Sequence, residues 1–203
     1  MDIETLIMHA PFKLSDEDIR VLRGQSEMLE PHTWDEVKGM VAAGEMGQLR
    51  RSPQDLRNYI RWHAEIGKTH GSVLEYVRRE RLHWPKHIIA RDAVPFAHAD
   101  DWKIIWNDWP YDLADGMMHL VIWSKNRTFR ETLGCCRGQD LLWFKQKTAW
   151  QSVKALEHIH VLVRNVSEER VEKLVGQRRS QTLRALVGES MASTETRISS
   201  KMS

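Results

Sequence analysis

Two histidines separated by one residue, His158 and His160, are the residues of this 203-residue sequence best suited to chemistry. In an extended strand successive side chains point to opposite faces, so both imidazoles would project from one face and Ile159 from the other. An imidazole titrates at about pH 6.5, so it can accept or donate a proton near neutral pH. The pair therefore predicts a strand that presents a general base or acid.

Three further segments alternate apolar and polar side chains in the same way. The polar rows are Lys103 and Asn107 in residues 102–108, His119, Trp123 and Lys125 in residues 118–125, and Trp143 and Lys145 in residues 141–145. This alternation is typical of a strand that buries one row of side chains and exposes the other. We expect four strands whose polar rows form one functional face.

Helical patterns lie on both sides of these strands. Three begin after the N-cap residues Ser15, Thr33 and Ser52, and a fourth follows Gly71. Ser167 is suited to cap a C-terminal helix, and a second segment follows residue 176. The sequence therefore predicts a single α+β domain. Its core (100–166) contains an about four-stranded, mainly antiparallel sheet that has one polar functional face. The other parts are a loosely ordered arm (1–14), a helical lobe (15–83), C-terminal helices (167–187) and a disordered tail (188–203).

The composition is that of a globular domain. Hydrophobic residues make up 41% of the chain, charged residues 29%, and the net charge of +2 gives no signal for nucleic acid by itself. No apolar run is long enough to span a membrane, and the first residues lack the features of a signal peptide. Cys135 and Cys136 are adjacent, which is unsuitable for an ordinary disulfide. We expect a cytoplasmic protein that does not bind membranes.

Single residues leave several chemistries open. An HxH pair can bind zinc, but zinc normally takes three or four ligands and the other candidates are His119, Glu157 or an aspartate, so we predict no metal. A thiolate at Cys135 or Cys136 could be a nucleophile, although no base lies nearby in the sequence. The histidines could also be structural. The sequence has no P-loop, GxGxxG, HExxH or CxxC pair, so motifs alone leave the reaction open.

Charged side chains outside the strands suggest two kinds of contact. Basic residues of the third and fourth predicted helices form stripes that could bind phosphates, although such stripes are more often solvated faces. They are Arg57, Arg61, Arg78, Arg79 and Arg81. Asp101 and Asp108 flank the first strand and could bind a guanidinium through a two-point contact, although turn aspartates commonly cap the backbone.

The order of six motifs resembles that of the fungal N-acetylglucosamine-induced protein family. The motifs are RSPQDLRNYI, GSVLEYVRRERLHWP, DWKIIWNDWPY, HLVIWSK, LLWFK and QSVKALEHIHVLVRNV, between about residues 33 and 166. The chain departs from the family pattern at Gln146, where Asn is usual, at Asp112, where Gly is usual, and in a shorter connector before LLWFK. The family includes arginine-containing cyclodipeptide synthases, which condense arginine with a second amino acid, both delivered by aminoacyl-tRNA.

The resemblance implies that arginyl-tRNA and a second aminoacyl-tRNA are the substrates, in fungal secondary metabolism, and that no cofactor is needed. An aminoacyl ester is already activated, so the enzyme must orient two esters, accept a proton from the attacking amine and stabilise an oxyanion. The residues implied for catalysis are His158, His160, Glu157, Tyr111, Lys103 and His119. Those implied for substrate binding are Asp108 and then Asp101 for the guanidinium, with Asn107, Trp109, Trp123, Lys125, Trp143 and Lys145. Those implied for tRNA binding are Arg57, Arg61, Arg78, Arg79 and Arg81.

Two other functions fit part of the pattern. Histidine-triad nucleotide-binding proteins also carry alternating histidines on a strand, so the chain resembles a nucleotide hydrolase or transferase, although Leu162 stands at the third triad position. A non-catalytic protein that responds to N-acetylglucosamine is the remaining hypothesis.

Overall fold

The computed structural model describes residues 2–27, 30–92, 94, 96–126, 139–146, 151 and 153–182. Within these residues, six α-helices and a four-stranded antiparallel sheet form the predicted α+β fold. The helices are α1 (Ile3–Met8), α2 (Asp16–Arg23), α3 (Trp34–Ala43), α4 (Pro53–His70), α5 (Val73–Tyr76) and α6 (Glu168–Val175). The strands are β1 (Trp102–Trp106), β2 (Met118–Ser124), β3 (Leu141–Phe144) and β4 (Glu157–Val163).

The helix boundaries follow the capping residues that the sequence predicts. The side chain of Ser15 accepts a hydrogen bond from the backbone N–H of Asp18, and α2 ends at Gly24 with φ +69°. Thr33 caps α3 in the same way, and Ser52 caps α4. Because each cap satisfies a backbone donor at the first helical turn, these local signals alone fix where the helices begin.

The N-terminal segment differs from the prediction of a loosely ordered arm. Residues Ile3–Met8 form α1, which begins after Asp2 and buries Leu6, and Leu6 packs with Leu22 and Leu56. The ring of Phe12 also lies 5.0 Å from the ring of Tyr59. A helix of this length has little stability of its own, so α1 depends on its contacts with α2 and α4. The sequence of residues 1–14 does not reveal these contacts, which is why it predicts a loosely ordered arm.

The fourth predicted helix is not one continuous α-helix. It begins with α5 and continues as a single π-helical turn, Val77–Arg81. An added residue in a helical turn changes the direction in which the following side chains project, and such turns are frequent at functional sites. Here the turn ends at Arg81, which lines a cavity between the helical lobe and the sheet.

The sheet has the order β1-β2-β4-β3, and its register decides which side chains share a face. Trp123 of β2 pairs with Lys103 of β1 and with His158 of β4. On β3, Phe144 pairs with His160. Paired residues in an antiparallel sheet project to the same side, so the predicted gathering of Lys103, Trp123 and the two histidines on one face is confirmed.

The same register corrects the prediction for β3. Because Phe144 shares the face of His160, its neighbours Trp143 and Lys145 project to the opposite face. Glu157 also lies there, and both of its carboxylate oxygens accept hydrogen bonds from Nζ of Lys145, at 2.8 and 2.6 Å. These three side chains therefore do not belong to the face that carries the histidines.

Neither face of the sheet is open to solvent over its whole area. The face that carries His158 packs against the helical lobe, where Val77 contacts the cluster that contains Ile105. The opposite face packs against α6 through Val171 and a cluster that contains Ile159. The row that carries His158 is therefore covered by α4 and α5 and is not exposed to solvent. These helices must bury their apolar side chains, and they do so against the apolar side chains on the same face of the sheet.

Some predictions concern parts of the chain that the structure does not describe. Cys135 and Cys136 lie outside the described residues, as do residues 183–203, which contain the predicted tail and the end of the second C-terminal segment. Before that point α6 is followed by a single 3-10 turn, Arg179–Gln181. Among the described helices, none combines the length and apolar character needed to cross a membrane.

Candidate functional site

A cavity of about 120 Å³ lies between the helical lobe and the sheet. Its walls include an aromatic cluster: the ring of Trp109, in the loop after β1, lies 5.8 Å from the ring of Tyr59 and 5.7 Å from that of Trp62, both on α4. His158 and His160 line the same cavity from β4. The two imidazoles are therefore placed in apolar surroundings, where the charged form of a side chain is disfavoured.

His158 is held as a neutral base. Its Nδ1 lies 3.0 Å from the backbone oxygen of Leu156, and a carbonyl can only accept, so Nδ1 carries the proton. The ring stacks on Trp123 at a centre-to-centre distance of 4.4 Å. Burial lowers the pKa of His158 below its ordinary value. At neutral pH the ring therefore has an unprotonated Nε2 that can accept a proton.

His160 is held in the opposite tautomer by a second histidine. We assign the proton of His119 to Nε2, because the backbone N–H of Tyr111 can only donate and lies 3.4 Å from Nδ1. That Nε2 donates to Nδ1 of His160 at 2.9 Å, which leaves the proton of His160 on its own Nε2. Burial lowers the pKa of His119 to about 3 and that of His160 well below 6.5. His160 is therefore a neutral hydrogen-bond donor.

The two cavity histidines thus have complementary roles. His158 offers an acceptor nitrogen and His160 a donor nitrogen, and their ring centres are 5.8 Å apart. A base beside a neutral donor can remove a proton from a nucleophile and stabilise negative charge on an oxygen in the same reaction. This arrangement suits proton transfer coupled to attack on a carbonyl group.

The loop between β1 and β2 is fixed by polar contacts. Oδ1 of Asn107 accepts from the backbone N–H of Trp109 at 2.9 Å. The amide nitrogen of Asn107 lies 3.1 Å from Nε2 of His119, and with the proton of His119 on that Nε2 the two donors do not form a hydrogen bond. The Tyr111 hydroxyl accepts from Nε2 of Gln146 at 3.2 Å, and burial raises the pKa of Tyr111. Asn107, Trp109 and Tyr111, to which the family resemblance gives roles in substrate binding or catalysis, all line the cavity.

Asp108 also lines the cavity, but a guanidinium from the protein already contacts it. Nε of Arg81 lies 2.8 Å from Oδ2 of Asp108, and both side chains are largely buried. The sequence led us to expect Arg81 at tRNA phosphates. The structure instead places Arg81 in the wall of the cavity. Any substrate guanidinium that reaches Asp108 must share this carboxylate with Arg81.

Asp101 lies apart from the cavity residues. Its side chain is 1% exposed, and Oδ2 accepts from the backbone N–H groups of Arg91 and Asp92 at 2.6 and 2.9 Å. These hydrogen bonds lower the pKa of Asp101, although burial opposes them. Asp101 thus closes the connecting loop before β1, which is the capping role that aspartates commonly have in turns.

The two lysines of the polar row have structural contacts. Nζ of Lys125 lies 3.5 Å from Oδ1 of Asp101, and it also faces the ring of Trp84 at 5.5 Å. Nζ of Lys103 donates to the backbone oxygen of Arg81 at 3.0 Å, and burial lowers the pKa of Lys103. Neither lysine is among the residues that line the cavity.

The arginines assigned to tRNA fall into two groups. Arg61 and Arg79 are exposed, and Arg57 is half-buried with a contact to Gln54 at 3.2 Å. Arg78 is buried, pairs with Glu75 at 2.6 Å and donates to the backbone oxygen of Trp84. Only the first group is placed to meet a large polyanion at the surface.

Sequence reasoning missed several residues that line the cavity. They are Arg51, Tyr59, Trp62, Gln146 and Gln151. A signal existed for Arg51, because a cation directly before the Ser52 cap and Pro53 strengthens the positive N-terminus of α4, where anions bind. Tyr59 and Trp62 follow the spacing of a buried helix face. That spacing does not distinguish a residue of the core from one that lines a cavity.

Comparisons with known proteins find fungal relatives and a solved structure with a similar fold. At 22% identity, the chain is similar to the N-acetylglucosamine-induced protein 1 of Candida albicans, over 72% of this chain and 73% of that protein. An uncharacterized protein of Saccharomyces cerevisiae is 25% identical over 70% of this chain and 84% of its own length. The crystal structure of HTC1 has the same fold, with a TM-score of 0.56 and 21% identity over 79% of this chain and 95% of that one.

A family model described as a protein of unknown function, DUF3605, matches residues 33–132 and 126–164. These ranges contain α3, α4, α5, the whole sheet and every histidine of the site. The chain belongs to the DUF3605 family.

Proposed function

We propose that this protein is an aminoacyl-tRNA-dependent cyclodipeptide synthase that joins arginine to a second amino acid. The observation that carries the proposal is the pair of neutral histidines with opposite tautomers in one cavity, His158 as acceptor and His160 as donor. Attack of an amine on an ester needs both a proton acceptor and a donor to the oxyanion. The choice of arginine and of tRNA rests on the resemblance of the motifs.

In the proposed reaction, the α-amino group of one aminoacyl ester attacks the carbonyl carbon of the other. Nε2 of His158 accepts a proton from that amine, and the Nε2–H of His160 donates a hydrogen bond to the oxyanion. The ester C–O bond then breaks, and His158 returns the proton to the tRNA hydroxyl that leaves. A second attack by the remaining amine on the remaining ester closes the ring with the same balance of protons.

The character of the cavity supports an aminoacyl ester as ligand. The aromatic walls formed by Trp62, Trp109 and Trp123 restrict water, which matters because water hydrolyses aminoacyl esters.

The experiment that tests this proposal measures product directly. Purified protein is incubated with arginyl-tRNA and a second charged tRNA, and cyclic dipeptides are detected by mass. We expect an arginine-containing cyclic dipeptide that disappears when ribonuclease is added first. If no pair of charged tRNAs that includes arginyl-tRNA gives a cyclic product with folded protein, the proposal is wrong.

Nε2 of His158 also supports a second candidate function, that of a nucleotide hydrolase or transferase. The unprotonated Nε2 of His158 is also the atom with which a nucleotide transferase would attack phosphorus, as the likeness to histidine-triad proteins implies. Incubation with nucleotides and mass analysis of intact protein separate the two functions. A phosphoryl or nucleotidyl adduct on His158 supports the transferase, and an aminoacyl-tRNA-dependent product without any adduct supports the synthase.

A further inference from the structure

Arg51 is a fixed cation inside the cavity. Its Nε donates to the backbone oxygen of Trp109 at 3.0 Å, and its guanidinium carbon lies 4.4 Å from the ring centre of Tyr59 and 5.2 Å from that of Tyr111. Among the residues that the structure describes, no carboxylate forms an ion pair with it. The two tyrosines and the carbonyl thus hold the guanidinium in one orientation without neutralising its charge.

The charge of Arg51 acts on the histidines. After burial, which is the largest cause, Arg51 is a further reason why the pKa values of His119 and His160 lie below the ordinary value. The guanidinium is therefore close enough to influence the group that would donate to an oxyanion. A positive charge at this position favours negative charge on a bound ligand.

Two hydrogen-bond donors of residues that line the cavity have no acceptor within the described ranges. The indole N–H groups of Trp109 and Trp123 are buried, and within the described part of the chain neither has an acceptor. The carboxylates that line the cavity are engaged, since Asp18 accepts from Ser15 and Asp108 pairs with Arg81. Because these carboxylates are engaged and Arg51 has no carboxylate partner among the described residues, a ligand that brings acceptor oxygens suits the cavity.

We propose that Arg51 is the oxyanion-binding residue of this cavity and that its guanidinium contacts a negatively charged oxygen of the bound ligand. The ligand class is therefore a small molecule with a carboxylate, a phosphate or a carbonyl that becomes an oxyanion. The last case rests on the proposed synthase function, in which Arg51 and the Nε2–H of His160 stabilise the tetrahedral intermediate together.

The first test measures anion binding alone, so it does not depend on the proposed reaction. Acetate and inorganic phosphate are titrated into the protein while the ring signals of His158 and His160 are followed by NMR. We expect saturable shifts in the wild-type protein, no saturation in Arg51→Met, and wild-type behaviour in the control Arg170→Met, which removes an exposed cation on α6. Methionine keeps an apolar stem between the two tyrosines, which favours a folded variant.

The second test uses the reaction. In Arg51→Ala we expect kcat to fall by about 10²–10³ while KM changes little, because the lost contact strengthens only as the oxyanion forms. Added guanidinium ions at low concentration should restore part of kcat, and tetramethylammonium ions should not. A purely structural role for Arg51 gives no selective rescue.

The outcomes separate this inference from the proposed function. Anion binding that depends on Arg51 in a protein without synthase activity supports the inference and contradicts the synthase. Equal anion binding by wild type and Arg51→Met, or no anion binding by wild type, overturns the inference even if cyclic dipeptides form. If Arg51→Met does not fold, Arg51→Lys decides: weaker saturation than wild type supports the inference, and unchanged saturation overturns it.

Discussion

Nε2 of His119 lies 2.9 Å from Nδ1 of His160, and this hydrogen bond determines the role of the second histidine. His119 is on β2 and His160 on β4, in adjacent strands of the sheet. With the proton of His119 assigned to Nε2, Nδ1 of His160 is the acceptor, and the proton of His160 is then on its own Nε2. His158 has the reverse arrangement, since its Nδ1 donates to Leu156. The base and the donor of the proposed reaction therefore cannot exchange roles without breaking one of these bonds.

Replacement of the base should remove activity without unfolding the protein. In His158→Gln we expect kcat to fall by about 10²–10⁴, which is the usual contribution of a general base. The matched control is His87→Gln, which changes an exposed histidine of the connecting loop and should retain wild-type kcat. Product formation is measured by mass with the two charged tRNAs. Equal rates in wild type and His158→Gln would contradict the assignment of the base.

The ion pair on the opposite face gives a test of the sheet register. Nζ of Lys145 lies 2.6 Å from Oε2 of Glu157, on the face of the sheet opposite to the cavity. Glu157→Gln should therefore leave kcat within about twofold of wild type. The pair is partly exposed, and we expect a loss of less than about 1 kcal/mol in the free energy of unfolding. Product assays and urea unfolding measure the two quantities. A loss of activity as large as that of His158→Gln would show that Glu157 takes part in the reaction.

Removal of one partner of the cavity ion pair should be costly. Asp108→Asn leaves Arg81 largely buried without its carboxylate, and we expect the free energy of unfolding to fall by about 2–4 kcal/mol. The double variant Arg81→Gln with Asp108→Asn should be less destabilised than the sum of the single variants. Urea unfolding of all four proteins measures this coupling. Strict additivity would show that the two side chains do not interact.

The buried neutral histidines make stability depend on pH. The folded pKa values of His119, His158 and His160 are lowered, whereas an unfolded histidine titrates at about 6.5. Below about pH 6.5 the unfolded chain therefore binds more protons, and the free energy of unfolding falls as the pH falls. Each such histidine contributes a slope of about 1.4 kcal/mol per pH unit, down to its folded pKa, which for His119 is about 3.

Urea unfolding between about pH 6.5 and pH 4.5 measures this slope before most carboxylates titrate. In His119→Gln we expect a slope that is smaller by about 1.4 kcal/mol per pH unit, because one buried histidine is missing. A free energy of unfolding that does not change over this range would show that the histidines are protonated in the folded protein.

The exposed arginines should account for the salt dependence of tRNA binding. Arg61→Gln and Arg79→Gln should each reduce the slope of log K against log salt concentration by roughly 0.7–0.9. The control is Lys38→Gln, which removes an exposed cation from α3 and should leave the slope unchanged. Binding of uncharged tRNA at several salt concentrations provides the data. Slopes that are equal in all four proteins would place the tRNA elsewhere.

The sequence was sufficient for most of the fold. Strands β1, β2 and β3 lie within the predicted segments 102–108, 118–125 and 141–145, and β4 carries the predicted His158 and His160. The caps at Ser15, Thr33 and Ser52 placed three helices. The facing of β3 was not predictable, since both of its rows are apolar or aromatic in Leu141–Phe144. Only the pairing of Phe144 with His160 decides it.

The candidate site was predictable by residue type but not by contact. Alternation placed His119, His158 and His160 on one face, yet the tautomers depend on Leu156 and Tyr111, which meet the rings only in the folded chain. The pairing of Asp108 with Arg81 joins residues that are distant in sequence, and Arg81 is the last residue of the π-helical turn. Such long-range contacts leave no periodic signal in the sequence.

NMR correlation of the ring nitrogens with the ring protons of the histidines is the most direct test of the central claim. At pH 7 we expect His158 to carry its only ring proton on Nδ1 and His160 to carry its only ring proton on Nε2. Two protonated nitrogens on either ring, or a proton on Nε2 of His158, would contradict the account, because the cavity would then hold no neutral base beside a neutral donor.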